Sequence, residues 1–79
     1  MRIDKFLKNS RLIKRRTVAH DACEGGRVKI NGKTAKPASE VNIGDVIEIS
    51  FGSNSTKLEV LAVTEHVTKE DSKEMYKLI

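Results

Sequence analysis

The fold is decided by residues 2–36, which read RIDKFLKNSRLIKRRTVAHDACEGGRVKINGKTAK. The stretch predicts two short basic helices, a Gly-Gly break and a β-hairpin. In the first helix Ile3, Phe6 and Leu7 recur at the spacing of one helical face, which predicts that they are buried. Eleven of the fifteen Lys and Arg residues lie within the stretch, so the segment that sets the fold also carries most of the positive charge.

The second helix is predicted over about residues 14–24, after a break at Asn9–Ser10. Gly25–Gly26 ends it, because glycine adopts the left-handed conformation at a helix C-terminus without steric cost. Apolar and small side chains recur four residues apart within the helix, and we expect them to form its buried face: Val18, Ala19, Ala22 and Cys23.

The next part of the chain predicts a small sheet. Residues 27–30 alternate polar and apolar side chains, as half-buried strands do, and Asn31–Gly32 predicts a type I′ turn. The return strand over residues 34–36 ends at Pro37, because proline cannot donate to a strand ladder. Further strands are predicted over residues 46–51 and 58–63 around a loop at 52–55, with Val41 and Ile43 in the core.

Near the C-terminus, residues 68–71 resemble a helix start, and Ser72, Met75 and Tyr76 follow at helical spacing. We therefore expect a short terminal helix or a frayed turn. The predicted fold class is α+β, with two N-terminal helices packed on a small, curved, mostly antiparallel sheet and a short C-terminal helix. At 79 residues the chain is expected to be one domain, 1–79, with its C-terminal strand and helix over 56–79.

The charges are segregated along the chain. Residues 1–36 carry eleven basic and three acidic side chains, a net charge of +8, whereas residues 37–79 carry four basic and eight acidic ones, a net charge of −4. A domain selected only for solubility would intersperse its signs. The pattern predicts a basic face that binds a polyanion and a neutral or acidic back.

Size and composition argue against several classes of protein. A domain of 79 residues is too small to enclose a deep catalytic cavity, so we expect neither enzyme activity nor a cofactor. The single cysteine, Cys23, cannot form a disulfide within the chain, which fits a reducing cytosol. No apolar run resembles a secretory signal or approaches the ~20 residues that span a bilayer, so we expect a cytoplasmic protein without membrane contact.

The candidate RNA-binding residues are the cations of the basic stretch. Lys14, Arg15 and Arg16 stand where the second helix starts, although each cation there opposes the helix dipole at a cost of roughly 0.3–1 kcal/mol. Phosphate binding explains them better than an ordinary solvated charge run. The interpretation requires the cations to lie on one side and not to be held by carboxylates of the same chain. The predicted set is Arg2, Lys5, Lys8, Arg11, Lys14, Arg15, Arg16, Lys33 and Lys36.

Several of these residues have a second interpretation. Lys33 and Lys36 flank the hairpin turn, where lysines also discourage edge-to-edge strand pairing, and this alternative stays equally open. The same uncertainty applies to Arg27 and Lys29. RNA is favoured over DNA, because no helix carries the Asn and Gln side chains that read base edges, and positive groups suit recognition of backbone and shape.

The histidines, the cysteine and the acidic residues indicate no other chemistry. His20 and Cys23 have helical i, i+3 spacing, but two ligands do not make a zinc site, so we predict no metal. Cys23 is expected to be a small packed residue rather than a nucleophile. His66, the other histidine, has no assigned role. Capping or ion pairing, rather than catalysis, is expected for Asp4, Asp21 and Glu24.

Several separate motifs together resemble a known family, the RNA-binding domain first described in ribosomal protein S-four (the αL motif). The resemblance covers about residues 2–51. It is greatest to small stand-alone bacterial members, namely the heat-shock-induced ribosome-binding protein and, more closely, the short RqcP family. The motifs, in matching order and spacing, are residues 2–7 (RIDKFL), 15–19 (RRTVA), 26–32 (GRVKING), 36–39 (KPAS) and 41–47.

The resemblance implies an αL-type RNA-binding fold and a role in ribosome quality control. Such proteins bind a large ribosomal subunit that still holds peptidyl-tRNA after a stall. They act with the tailing factor RqcH, which recruits alanyl-tRNA to extend the stalled chain with alanine. By the same resemblance, Arg2 and Arg16 contact ribosomal RNA (rRNA) and this surface helps to hold the tRNA. The implied partners are therefore rRNA, tRNA and an RqcH-type factor, and the protein is expected to be a monomer off the ribosome.

Two other functions stay open at this point. The same domain is fused to pseudouridine synthases and tyrosyl-tRNA synthetases, so the chain could be an RNA-binding appendage or fragment of an RNA-modifying enzyme or synthetase. Alternatively, the basic face could bind an acidic protein partner, as an adaptor does. The mass of the native protein separates the first alternative from a stand-alone factor, and nuclease treatment of a co-purifying complex separates the second.

Overall fold

The computed structural model describes residues 1–64 and 70–79, and in these ranges two helices pack on one antiparallel sheet of five strands. The strands lie in the order β2-β1-β3-β4-β5, and every neighbouring pair is antiparallel. The predicted α+β class is confirmed. The elements are α1 (Ile3–Asn9), α2 (Arg16–Glu24), β1 (Val28–Ile30), β2 (Lys33–Thr34), β3 (Val46–Phe51), β4 (Asn54–Val60), a 3-10 turn (Asp71–Glu74) and β5 (Tyr76–Leu78).

The core lies between the helices and one face of the sheet. In α1, Ile3, Phe6 and Leu7 are fully buried, as their spacing predicts. They belong to one cluster with inward side chains of the sheet, including Ile47 of β3 and Leu58 of β4, which are partners across the strand pair. Burial of apolar surface, worth about 25 cal/mol per Å², therefore fixes α1 on the sheet. None of the helices in the described ranges has the length and apolar character needed to cross a membrane.

The predicted turn at Asn31–Gly32 has the expected conformation. Both residues have positive φ, +51° and +83°, as a type I′ turn between β1 and β2 requires. The Asn31 side chain has a further role that the turn alone does not predict. Its Nδ2 donates to Asp45 Oδ1 at 3.1 Å, and its Oδ1 accepts the Val46 backbone N–H at 2.9 Å. Asn31 therefore ties the hairpin to the start of β3.

Two apolar residues that were predicted to be buried are exposed. Val18 is 45% exposed, because α2 turns the face that contains Ala19 and Cys23 towards the core, and Val18 lies at the flank of that face. Ile43 is 66% exposed, since the turn before β3 carries Val41 into the core and leaves Ile43 outside. Both predictions relied on spacing, which does not fix the width of a buried face.

The hairpin between β3 and β4 is tighter than predicted. A two-residue turn, Gly52–Ser53, replaces the predicted loop over residues 52–55, and Gly52 has a positive φ of +59°. Phe51 is consequently the register partner of Asn54. The strand that was predicted over residues 58–63 therefore starts and ends earlier in the chain.

The C-terminus ends in a strand where helical spacing favoured a helix. Asp71–Glu74 forms a single 3-10 turn, and this turn accounts for the burial of Ser72 and Met75. Tyr76–Leu78 then pairs with β4 as β5, which satisfies main-chain groups that the edge of β4 would otherwise expose. The predicted helix start at residues 68–71 lies partly outside the described residues, and His66 lies wholly outside them.

We expect Asn31→Ala to lower the free energy of unfolding by about 1–3 kcal/mol. Alanine is strained at positive φ and cannot make either side-chain hydrogen bond. Urea denaturation followed by circular dichroism measures the change. Lys33→Ala, an exposed substitution on the same hairpin, is the control and should stay within about 0.5 kcal/mol of the wild type. Equal losses in both variants would contradict the role given to Asn31.

Candidate nucleic-acid interface

The predicted RNA-binding residues before β1 lie just before α1, on α1, on the loop after it and at the start of α2. Lys5 and Lys8 lie along α1, while Lys14 belongs to the loop. Helix α2 starts at Arg16 rather than at Lys14, because Arg15 has an extended backbone with φ −117° and ψ 132°. Of the three consecutive cations only Arg16 lies within the helix, which reduces the unfavourable interaction with the helix dipole.

Main-chain hydrogen bonds hold the start of α1 against the segment after the hairpin. The Ile3 N–H donates to the Ser39 carbonyl at 2.8 Å, and the Asp4 N–H donates to the Pro37 carbonyl at 3.3 Å. Lys36 opens the same turn, and its N–H donates to Ser39 Oγ at 2.9 Å. The backbone of Lys36 is thus tied to the segment that contacts the first residues of α1, whereas Lys33 lies on the edge strand β2.

A buried carboxylate joins the starts of the two helices. Asp4 is only 2% exposed. Its Oδ2 accepts a hydrogen bond from Arg2 Nη2 at 3.2 Å and lies 3.7 Å from Arg16 Nε. Its Oδ1 accepts the Lys5 backbone N–H at 2.7 Å. One acidic side chain of α1 therefore brings together an arginine that precedes α1 and the arginine that begins α2.

The two arginines remain accessible from outside. The side chains of Arg2 and Arg16 are 48% and 50% exposed. A guanidinium carries five N–H donors in a planar fork, and a contact to one carboxylate oxygen uses only part of it. The remaining donors of both side chains can bind phosphate oxygens, for which the planar fork is well suited.

The sequence-based requirement that no cation be held by a carboxylate is wrong for Arg2 and Arg16. Asp4 neutralises part of their charge, because an aspartate on the apolar face of α1 needs cationic partners once it is buried. The other cations of the predicted set are exposed, except Lys5, which is half-buried. The predicted cations therefore fall into two sets. Arg2 and Arg16 are paired through Asp4, and the others lie on α1, on the loop after it and on the hairpin.

Arg11 has a backbone conformation that arginine disfavours. Its φ is +61°, directly after the last turn of α1, and its N–H donates to the Lys8 carbonyl at 3.1 Å. This is the position after a helix C-terminus where glycine is usual, and a residue with a Cβ costs about 1–2 kcal/mol there. Arg11 is therefore retained at the expense of stability, which favours a role for its exposed side chain.

A cleft of about 360 Å³ opens next to Asp4. On its far side, His20 Nδ1 lies 3.7 Å from Asp21 Oδ1, and His20 Nε2 lies 4.0 Å from Glu24 Oε1. The cleft is large enough for a phosphate with its sugar, and it offers guanidinium donors as well as carboxylate acceptors. Its walls are formed by Arg2, Asp4, Arg16, Thr17, His20 and Asp21.

Cys23 is on the buried side of α2 and has no access to this cleft. It is 1% exposed, and burial, followed by the charges of Asp4 and Glu24, raises the pKa of its thiol to about 11. The thiol is therefore protonated at neutral pH and poorly nucleophilic.

In residues 1–64 and 70–79 no group of three or more His, Cys, Asp or Glu side chains could hold a metal ion.

Asp4 and three other residues that line the cleft, namely Thr17, His20 and Asp21, are what the sequence patterns missed. Capping or ion pairing was expected for Asp4, and the structure shows ion pairing in a buried setting. The signal was present, because Asp4 stands three residues before Leu7 and so shares the apolar face of α1. Nothing in the spacing of Thr17, His20 and Asp21 indicates that they face the two arginines.

Comparisons with known proteins agree with this fold. Residues 1–47, the part that carries both helices and the hairpin, match the S4 domain family. A protein of Listeria monocytogenes named RQC P-site tRNA stabilizing factor is 48% identical over 79 residues, and the match covers 86% of its length. A protein of the same name from Bacillus subtilis is 43% identical over 79 residues, with 92% of its length covered.

A solved structure shows the same chain path. Heat Shock Protein 15 of Vibrio cholerae, described as trimeric, superposes with a TM-score of 0.91 at 29% sequence identity. The superposition covers 100% of this chain and 81% of that one. The helices and the sheet therefore have the same arrangement in both proteins.

We expect Arg11→Gly to stabilise the protein and to weaken its binding to RNA. Glycine removes the strain of the positive φ and costs some chain entropy, so the net gain should be about 0.5–1 kcal/mol. Lys8→Gly is the matched control, because it also removes a cation but places glycine inside α1, where it destabilises by about 1 kcal/mol. Thermal unfolding and RNA titration measure both effects. A lower thermal midpoint for Arg11→Gly would contradict the strain.

Proposed function

The chain belongs to the S4 domain family, and to the group within it whose members are named RQC P-site tRNA stabilizing factor, and from this premise we propose that it is an RNA-binding factor of ribosome quality control. It binds obstructed large ribosomal subunits that carry peptidyl-tRNA. Together with an RqcH-type factor it supports C-terminal alanine tailing of the nascent chain. It acts in the cytoplasm, is a monomer off the ribosome, and makes or breaks no bond.

The pairing of Arg2 and Arg16 at the mouth of one cleft is the observation that carries the proposal. Two half-exposed guanidinium groups, one just before α1 and one at the start of α2, are held by one carboxylate, at 3.2 and 3.7 Å. Such a pair can contact neighbouring phosphates of one folded RNA. The other proposed RNA contacts extend this pair along α1, the loop after it and the hairpin: Lys5, Lys8, Arg11, Lys14, Arg15, Lys33 and Lys36.

The mechanism is positional. Positive side chains on a rigid pair of helices favour one arrangement of rRNA and tRNA over others, because A-form and folded RNA are read largely through phosphates and shape. On an obstructed subunit this favours the peptidyl-tRNA in its P-site position while the tailing factor delivers the next alanine.

The length of the relatives supports a stand-alone factor, since 86–92% of their length is covered by this chain and no room for a catalytic domain remains in them.

The affinity for RNA should fall steeply as salt is added. Roughly five phosphate contacts give a slope of about −3.5 to −4.5 in a plot of log K against log salt concentration. Titration of purified Bacillus subtilis large subunits at several KCl concentrations measures this slope. A slope near zero would contradict binding through phosphates.

Arg16→Ala should remove most of the binding to obstructed subunits and should also lower the thermal midpoint, because buried Asp4 keeps Arg2 but loses its second cationic partner. Binding is therefore measured well below the midpoint of the variant, where the protein is folded. The tagged protein is purified from cells, and the RNA that comes with it is sequenced. The wild type should bring large-subunit rRNA and tRNA, and alanine tails should be lost in cells that carry the variant. Lys57→Ala removes an exposed cation of β4 and is the control.

Nuclease treatment separates the proposal from an adaptor function. If the co-purifying proteins are lost when the RNA is digested, the protein binds the complex through its RNA. A partner protein that stays bound after complete digestion, with no rRNA recovered before digestion, would contradict the proposal. Light scattering of the free protein tests the monomeric state.

A further inference from the structure

Asp4 lowers the positive charge of the surface that is proposed to bind RNA. It is the carboxylate nearest to the two arginines, and at 2% exposure it is shielded from solvent. If attraction between net charges were all that mattered, this residue would weaken RNA binding. The geometry gives it a second effect with the opposite sign, and the two effects can be compared.

The second effect is on the freedom of the arginines. An exposed arginine loses much of its side-chain entropy when it is fixed by a ligand. Here the ordering has already occurred, because Asp4 Oδ2 lies 3.2 Å from Arg2 Nη2 and 3.7 Å from Arg16 Nε. The carboxylate is itself fixed by the Lys5 backbone N–H at 2.7 Å. Asp4 is thus a fixed acceptor that orients the guanidinium groups of Arg2 and Arg16, and both arginines line the cleft.

The electrostatic penalty of the same carboxylate is limited by its position. A phosphate bound by Arg2 or Arg16 has the guanidinium between itself and Asp4, so the positive charge is closer to the phosphate than the carboxylate is. The pairing also uses only one nitrogen of each guanidinium, so most donors are left for the ligand. Orientation should therefore outweigh the loss of one positive charge.

We propose that Asp4 is a positioning residue for RNA, whose carboxylate sets Arg2 and Arg16 as a fixed pair of phosphate-binding forks. The inference rests on the proposed function and deepens it, because it assigns the affinity of this surface to arrangement as well as to charge. A carboxylate that carries only charge should behave differently, and Glu24 of α2 is such a residue, because its side chain is 56% exposed and it does not line the cleft.

The decisive comparison is Asp4→Asn against Glu24→Gln. Both substitutions raise the net charge by one unit, and both keep the size of the side chain. Charge alone predicts equal or tighter binding of large ribosomal subunits by each variant. Positioning predicts that Asp4→Asn binds about tenfold more weakly although the protein is more positive, whereas Glu24→Gln binds as tightly as the wild type or more tightly.

The salt dependence separates positioning from mere loss of structure. A variant that is only partly folded lowers the active fraction and leaves the slope unchanged. Loss of one or two aligned phosphate contacts should reduce the slope by about 0.7–1.8. The Arg2→Ala/Arg16→Ala background leaves buried Asp4 without its two arginine partners, so Asp4→Asn should raise the thermal midpoint there. It should cause no further weakening of RNA binding, because the groups through which it acts are absent.

A second variant decides the matter if Asp4→Asn does not fold. Arg16→Lys keeps the charge and leaves Asp4 paired with Arg2, but it removes the planar fork. Positioning predicts a loss close to that of Arg16→Ala, and charge alone predicts wild-type affinity.

The inference is overturned if Asp4→Asn binds as tightly as the wild type or more tightly, with an unchanged or steeper slope. If Asp4→Asn does not fold, wild-type affinity of Arg16→Lys overturns it. These outcomes leave the proposed function intact. If the wild type itself shows no salt-dependent binding to subunits, the proposed function fails instead. The two failures are therefore distinguishable in one set of titrations.

Discussion

A buried carboxylate that must keep its cationic partners is the interaction on which the arrangement of this protein depends. Asp4 lies on the apolar face of α1, where an unpaired charge would be strongly destabilising. It is accommodated because Arg2 comes from one side and Arg16 from the start of the second helix. The requirement fixes how the two helices meet and places two guanidinium groups at one cleft. Stability and the proposed RNA contact therefore rely on the same three side chains.

The sheet supports this arrangement and carries a different distribution of charge. On the face away from the core, Lys29, Glu48 and Lys57 are register partners across β1, β3 and β4, and Glu59 stands opposite Lys77 across β4 and β5. Opposite charges alternate there, as they do on a surface that faces only water. The positive residues without such alternation lie on α1, the loop after it and the start of α2. The contrast explains why a modest net charge of +4 can accompany a locally basic surface.

Much of the fold could be predicted from local patterns, and the failures have identifiable causes. The buried face of α1 and the Asn31–Gly32 turn were predictable because spacing and positive φ admit few alternatives. The C-terminus was not, since residues 72–79 have helical spacing while their main-chain partner, β4, is remote in sequence. The resemblance of residues 2–51 predicted Arg2 and Arg16 as contacts. The pairing of Asp4 with both arginines could not be predicted, because it depends on how the two helices meet, which short-range periodicity does not contain.

The pairing of β1 with β3 has a consequence for how the protein is made. Val28 of β1 lies opposite Ile49 of β3, and twenty residues separate them in the chain. The helices are synthesised first, but the surface on which they pack is incomplete until β3 has left the exit tunnel. During translation, the basic N-terminal segment therefore emerges before the sheet on which it packs is complete. The arrangement of the proposed RNA-binding side chains is therefore completed as the chain leaves a ribosome, the kind of particle that the protein is proposed to recognise.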